Sequence, residues 1–181
     1  MSKLSRAVAA LLLLLSLVLT GCKSEKSEQS EPATFTFTVY PGSRYQTPLT
    51  ELFKRAATVI NPNTTPPPIA IYDSDAPLDA VANFYAKSYG YTKVATDATN
   101  NLSAAKPAAY YRNGDLNTDV KAVEPLMKKL NLAVDVSKAQ GKYRAVEIEA
   151  TRNRPRVTIQ RPYFDVIKSQ VVDRTMILMA P

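Results

Sequence analysis

The chain offers few of the side chains that commonly carry out chemistry. It contains no histidine and a single cysteine, Cys22. Histidine is the commonest general base and metal ligand, so its absence excludes the usual Ser-His-Asp triads and most zinc sites. The five glycines are scattered singly and form none of the spacings that bring backbone amides to a phosphate. We therefore predict no catalytic residue, no metal site and no cofactor.

Carboxylates are the remaining acid–base candidates. Asp73, Asp75 and Asp79 could supply clustered oxygens for Ca²⁺, but the spacing lacks the glycine and the bidentate glutamate of the common calcium loop. Acids are also favoured at the positive end of a helix, so we predict a helix start there. Glu147 and Glu149 share one face of a predicted strand, and their alternation with apolar residues places that face in solvent. A hydrolase that uses paired carboxylates needs two acids that converge in a cleft. Two acids on the solvent face of a strand do not indicate such a cleft.

Cys22 follows an apolar run near the start of the chain. Lys3 and Arg6 precede residues 7–20, which are dominated by leucine and alanine. A helix of that length spans about 21 Å, short of a hydrocarbon core of about 30 Å. A charged start, a short apolar middle and a small residue at the end are typical of an export signal.

The segment Leu19-Thr20-Gly21-Cys22 resembles the lipobox of bacterial lipoproteins. The resemblance implies that the Cys22 thiol receives a diacylglyceryl group, that residues 1–21 are removed, and that the new terminal amine is often acylated too. The alternative is an ordinary signal peptide cut near Gly21, but an unpaired thiol is unusual in an exported protein. Two or more acyl chains hold a protein stably on a bilayer. We therefore expect an envelope protein anchored to the bilayer through Cys22.

The residue after the cysteine is Lys23. In the lipoprotein family of bacteria with two membranes, a residue other than aspartate here implies transfer to the outer membrane. Residues 23–32 are polar and rich in serine and glutamate, which predicts a flexible tether. The predicted organisation is a leader over 1–21, the lipidated cysteine and tether over 22–33, and one globular domain over 34–181.

The charge is basic and unevenly distributed. The formal net charge is +7, and nine basic side chains lie between Lys138 and Arg174 against four acidic ones. Such a surface favours acidic partners, such as anionic lipid head groups or envelope phosphates. The alternative is a solvated face that confers solubility. The export signal, rather than the charge, argues against nucleic acid as a partner.

The densest basic group is formed by Arg152, Arg154, Arg156 and Arg161. The first three follow a period of two, so an extended chain would place them on one side. Arginine binds phosphate through two parallel hydrogen bonds, and we consider these four residues a candidate anion-binding group. The alternative is a charged hairpin tip that discourages edge-to-edge strand pairing.

Apolar periodicity in the first half predicts strands over 34–40 and 69–72 and helices over 49–60 and 78–89. Pro41-Gly42 predicts a turn after the first strand. Thr47 and Asp75 are predicted helix caps, and Gly90 is the predicted end of the second helix. The proline-rich residues 61–68 predict an extended connector.

The second half predicts strands over 108–111, 132–136, 146–149, 157–160 and 175–179 and a helix over 118–130. Asn113-Gly114 predicts a hairpin turn. Pro125 should kink the helix or restart it. The last strands predict a β-meander, and residues 175–179 are almost wholly apolar, which predicts a central position in the sheet.

A second resemblance rests on loose motifs. The chain resembles uncharacterised bacterial envelope domains in which an early proline-glycine turn precedes an aspartate-x-proline helix start and a phenylalanine-tyrosine helix. The segments that match are Pro41-Gly42, Asp73–Pro77, Asn83–Tyr85, Gly90-Tyr91, Arg161–Tyr163 and Asp173–Thr175. The resemblance implies a shared fold and no catalytic residues.

We therefore predict an α+β fold, with one antiparallel sheet packed by two or three helices behind the lipidated tether. The missing histidine and nucleophile motif favour a non-enzymatic binding or structural module for a protein partner or an anionic envelope polymer. The alternative is a periplasmic or surface hydrolase that uses carboxylates and arginine. A deep pocket holding two or more acids would favour the hydrolase, and a shallow basic face would favour binding.

Overall fold

The structure is a computed structural model that describes residues 37–91, 94, 109–151 and 154–180. Its helices are α1 (Thr47–Ile60), α2 (Leu78–Ser88) and α3 (Leu116–Lys129), with a 3-10 turn at Val136–Lys138. Its strands are β1 (Arg44–Tyr45), β2 (Ala70–Ser74), β3 (Ala109–Asp115), β4 (Lys142–Ile148), β5 (Arg156–Arg161), β6 (Tyr163–Asp165), β7 (Gln170–Val172) and β8 (Thr175–Ala180). Within these ranges, no helix combines the length and the apolar character needed to cross a membrane.

Six strands form one antiparallel sheet in the order β1-β2-β8-β5-β4-β3. The predicted single α+β domain is confirmed. The central position predicted for residues 175–179 is also confirmed, because β8 lies between β2 and β5. The strands β4, β5 and β8 are neighbours, as a meander requires, but β6 and β7 intervene in the chain and, within the described ranges, pair only with each other.

Helices cover both faces of the sheet. On one face, α2 packs against side chains that include Val146, Ile159 and Ile177. On the other face, α1 and α3 pack against Ile71, Ala145 and Leu178, together with the β6–β7 hairpin. Because successive side chains of a strand point to opposite faces, a sheet buried on both sides needs nearly continuous apolar strands, as in Met176–Met179 of β8.

The first predicted strand is wrong over the part that can be compared. Residues 34–36 lie outside the described residues, and residues 37–40 form no strand. Tyr85 of α2 holds this segment instead: its hydroxyl donates to the Thr38 carbonyl oxygen at 2.9 Å and accepts from the Tyr40 amide at 3.1 Å. The predicted turn at Pro41-Gly42 is confirmed, with Gly42 at a φ of +74°.

The first two helices agree with prediction, but their caps do not. Thr47 is the first residue of α1 and makes no capping hydrogen bond, since Gln46 occupies the N-cap position. Pro77 is the N-cap of α2, so Asp75 does not cap it. Gly90 does end α2: its φ is +82°, and its amide donates to the carbonyl oxygen of Lys87.

The third helix continues through Pro125 without restarting. Asp115 caps its start, with its carboxylate accepting from the Thr118 amide at 3.0 Å. The predicted strand over 132–136 is wrong, because residues 132–135 belong to no strand and a 3-10 turn begins at Val136.

The hairpin predicted at Asn113-Gly114 is also wrong. Both residues lie inside β3, which runs on to Asp115 and pairs with β4 along its whole length. Gly114 lies opposite Tyr143 in this pairing, and a Cβ atom on Gly114 would lie 2.2 Å from Cζ of the Tyr143 ring. The glycine is therefore explained by the close approach of a ring rather than by a turn.

Candidate ligand-binding cavity

A cavity of about 120 Å³ lies between α1, α3 and the sheet face that they cover. Its walls are mostly apolar. The helix α1 contributes Leu49, Leu52, Phe53 and Ala56, and α3 contributes Leu116, Val120, Val123, Leu126 and Met127. Each set lies on the buried side of an amphipathic helix, so the stripes that fold the domain also line the cavity.

The β6–β7 hairpin and the segment after α3 close the remaining apolar wall. Tyr163, Phe164 and Val166 of the hairpin line the cavity, and Leu132 does so from the end of α3. The backbone amide of Asp135 donates to the Ser169 hydroxyl at 2.9 Å, which joins these two segments.

One end of the cavity is polar. Arg112 of β3, Asp119 of α3, Tyr143 of β4 and Gln160 of β5 all line it. The Arg112 guanidinium donates to the Tyr143 hydroxyl at 2.7 Å, and that hydroxyl donates to Oδ2 of Asp119. The Arg112 guanidinium also lies 5.4 Å from the centroid of the Tyr143 ring. Three elements thus meet in one hydrogen-bonded group.

Glu147 supports this group from behind. Its Oε1 lies 3.4 Å from Nη2 of Arg112, and its Oε2 accepts from the Thr158 hydroxyl at 2.6 Å. The side chain is only 12% exposed, so the prediction that Glu147 faces solvent is wrong. Strand alternation does place Glu147 on one face, but that face is the one beneath α1 and α3 rather than a wet one.

Burial sets the protonation behaviour of the group. Desolvation raises the pKa of Asp119, against the hydrogen bond from Tyr143 and the charge of Arg112, while the nearby Asp115 raises it further. Desolvation likewise raises the pKa of Glu147 and of the Tyr143 hydroxyl. The Tyr143 hydroxyl is therefore neutral at physiological pH. The charge at this end of the cavity is decided by Arg112, Asp119 and Glu147.

Comparisons with models of protein families, with curated proteins and with solved structures find no match to this chain.

The predicted anion-binding arginines that the structure describes do not lie together in one patch. Arg152, like Cys22, lies outside those residues. Arg156 and Arg161 stand at the two ends of β5, about 17 Å apart along a strand. Arg154 lies over the Tyr89 ring, with its guanidinium carbon 5.2 Å from the centroid. Anion binding by these residues stays a prediction.

Arg161 has its charge neutralised within the fold. Its Nε donates to the Asp173 carboxylate at 2.9 Å, and its Nη1 donates to the backbone carbonyl oxygens of Asp75 and Ala76, each at 3.2 Å. This residue therefore ties the end of β5 to the segment before α2.

The three aspartates considered for Ca²⁺ are engaged with arginines. Asp73 lies 3.1 Å from Arg44 and 2.9 Å from Arg174. Asp75 contacts the same two arginines, and Asp79 lies 3.3 Å from Arg144. Ion pairs with arginine, together with a helix start, account for this cluster.

The sequence did not single out Arg112, Asp119 or Tyr143. A signal was present for Asp119, which precedes Val123 and Met127 by four and eight residues and so falls on the apolar stripe of its helix. Arg112 and Tyr143 carry no comparable signal, because their proximity depends on the register of β3 against β4.

Proposed function

We propose that this protein is a lipid-anchored, non-enzymatic binding module of the bacterial envelope that holds a small, mostly apolar ligand in the cavity. The leader and the lipobox resemblance around Cys22 support the anchor and the location. The observation that carries the binding role is a concave apolar site with a few convergent polar groups at one end, which is typical of small-molecule sites.

The size of the cavity limits the ligand. An apolar cavity of roughly 150 Å³ accommodates benzene. At about 120 Å³, the present cavity suits a body of similar size, such as a single small ring or a short acyl chain. A polymer could place only a terminal group or a side branch in it.

The hydrolase alternative has less support. Asp119 is the one carboxylate among the described residues that line the cavity, and both oxygens of Glu147 face Arg112 and Thr158 instead. A mechanism with paired carboxylates needs a second acid beside the reacting bond. The described lining of the cavity therefore does not provide the second acid that such a hydrolase needs.

Binding of an anionic envelope polymer by Arg154 and Arg156 remains a separate proposal, supported by the basic excess of this part of the chain. It would make binding to anionic vesicles weaken as salt is added, because exposed charges are screened. Loss of that salt dependence in the Arg154→Ala and Arg156→Ala variants would support it.

Methionine methyl groups provide a direct test of the cavity proposal. Met127 and Met176 line the cavity, whereas Met179 is buried on the opposite face of the sheet, against α2. The experiment uses the full chain, labelled with methyl-¹³C methionine and inserted into nanodiscs. Added toluene should cause saturable NMR shifts of the Met127 and Met176 methyl groups. Met179 should be unaffected and serves as an internal control.

Two variants of α1 sharpen this test. Ala56→Leu adds a larger side chain inside the cavity and should abolish the saturable shifts. Val59→Leu adds bulk to the same helix at a position that is 43% exposed and should leave them unchanged. Absence of saturable shifts at Met127 and Met176, or equal shifts at Met179, would contradict the proposal.

A further inference from the structure

We propose that the cavity selects a ligand whose polar head donates a hydrogen bond, such as an alcohol or an amine, and that Asp119 accepts this bond. This inference rests on the proposed binding function and adds the chemical class of the ligand. It also excludes a carboxylate or phosphate head as the preferred occupant.

The existing hydrogen bonds leave acceptors at the polar end. The Tyr143 hydroxyl already accepts from Arg112 and donates to Oδ2 of Asp119. The amide nitrogen of Gln160 donates to the Pro162 carbonyl oxygen at 3.2 Å. Among the described residues, Oδ1 of Asp119 and the amide oxygen of Gln160 take part in no hydrogen bond, and both side chains line the cavity. A ligand that reaches this end therefore meets two acceptors.

The charge balance points the same way. The single guanidinium of Arg112 faces two carboxylates, Glu147 on one side and Asp119 on the other, bridged by Tyr143. Asp115 adds a further negative charge close to Asp119. An anionic head would enter a region whose positive charge is already compensated, whereas a neutral donor or a cation would complete the coordination of Asp119.

Arg112 is the group through which an anion could still bind. Two of its nitrogens are already directed at Tyr143 and Glu147. A carboxylate that bound the remaining N–H groups would have to share the one positive charge of Arg112 with Glu147 and Asp119, which already compensate it. Preferred binding of an anionic probe is therefore the outcome that would overturn the proposal.

A series with one body and four heads tests the inference. Toluene, benzyl alcohol, benzylamine and benzoate share a ring and differ in the head, and the Met127 and Met176 methyl shifts of the full chain in nanodiscs give each affinity. We expect Asp119→Asn to weaken benzylamine binding by about tenfold and to change toluene binding by less than about twofold. The same substitution should not weaken benzoate binding.

Asp115→Asn is the matched control. It removes the same charge near the polar end but does not line the cavity, and asparagine caps a helix as well as aspartate does. It should change benzylamine affinity by less than about twofold. An equal loss in both variants, or benzoate binding tighter than benzylamine to the unmodified chain, would overturn the inference. Failure of toluene to bind would contradict the cavity proposal itself, so the two failures are distinguishable.

The pH dependence gives an independent readout. Asp119 is faced by Tyr143 from β4, by Arg112 from β3 and by Asp115 at the end of β3, and burial raises its pKa above that of an ordinary aspartate. Benzylamine affinity should therefore begin to fall, as the pH is lowered, at a higher pH than an exposed aspartate would give. Asp119→Asn should remove this dependence, and an unchanged profile in that variant would count against Asp119 as the acceptor.

Discussion

Gly114 and Tyr143 determine the shape of the polar end at the scale of single residues. They are partners in the register of β3 and β4, and the Tyr143 ring lies across the space that a side chain at position 114 would occupy. This position brings the Tyr143 hydroxyl between Arg112 and Asp119. A glycine in a strand interior is usually unfavourable, and here the packing of the ring against the bare backbone compensates for it.

We predict that Gly114→Ala lowers the free energy of unfolding by about 1–3 kcal/mol, because the added Cβ forces the ring from its place. Urea denaturation measures this change. Asn113→Ala is the matched control: it alters the adjacent, exposed residue of the same strand and should change stability far less.

Tyr143→Leu removes the ring atoms that the new Cβ would meet. Gly114→Ala and Tyr143→Leu together should therefore cost less than the sum of the two separate changes. Simple additivity would show that the close approach of the ring does not account for the glycine.

The end of α3 shows how an element shapes the cavity. Asn131 has a φ of +54° and follows the last helical turn, while the Asn131 amide donates to the Lys128 carbonyl oxygen and the Leu132 amide donates to that of Met127. These two bonds form a Schellman motif, in which a left-handed residue reverses the chain. The reversal places Leu132 against the cavity, beside Met127.

Asn131→Ala should lower the free energy of unfolding by about 1 kcal/mol, because alanine adopts the left-handed conformation less readily than asparagine. Asn131→Gly should preserve stability or raise it slightly, since glycine carries no such penalty. Thermal or urea denaturation of the pair measures the difference. If the alanine and glycine variants were equally stable, the conformation of Asn131 would not be what ends the helix.

Some helices and strands could be predicted from the sequence, and others could not. The helices α1 and α2 and the central strand β8 were predicted because each depends on a pattern within its own residues, an apolar stripe or an apolar run. The turn signal at Asn113-Gly114 and the alternation over 132–136 were misleading, because a ring from β4 and a helix end decide those conformations. Tertiary contacts outweighed local preference at both places.

The polar end was hidden from the sequence for a related reason. Its members come from four separate elements, and only strand register brings Arg112 beside Tyr143 and Glu147. The alternation that identified the face of Glu147 was correct, but alternation does not reveal that helices cover both faces. Knowing that two helices lie over the glutamate face would have changed the interpretation of Glu147 from surface residue to ion-pair partner.

For the molecule as a whole, the proposed arrangement is a folded binding domain on a lipidated tether. The described domain has its own core on both sides of the sheet, so the anchor would determine location rather than stability. The ligand would then be bound close to the membrane, where apolar molecules concentrate.

Cys22→Ser should therefore move the protein from the membrane fraction to the soluble fraction, because no thiol remains to receive a lipid. Mass spectrometry of the protein that keeps Cys22 should show an acylated cysteine at the mature amino terminus. The fold of the variant, monitored by the Met179 methyl shift, should be unchanged. Lipid anchoring would be contradicted if the Cys22→Ser variant stayed in the membrane fraction, or if the protein that keeps Cys22 carried a bare thiol there.

The β6–β7 hairpin has a consequence for ligand exchange. Its two strands pair with each other and, among the described residues, with no strand of the six-stranded sheet. Phe164 and Val166 nevertheless form part of the cavity wall. Swinging this wall outward would break side-chain contacts and the bond between Ser169 and Asp135, but no backbone bond of the main sheet. Entry and exit on this side would therefore leave the hydrogen bonds of the main sheet intact, and their rate would depend on how readily the buried Tyr163 and Phe164 side chains leave the core.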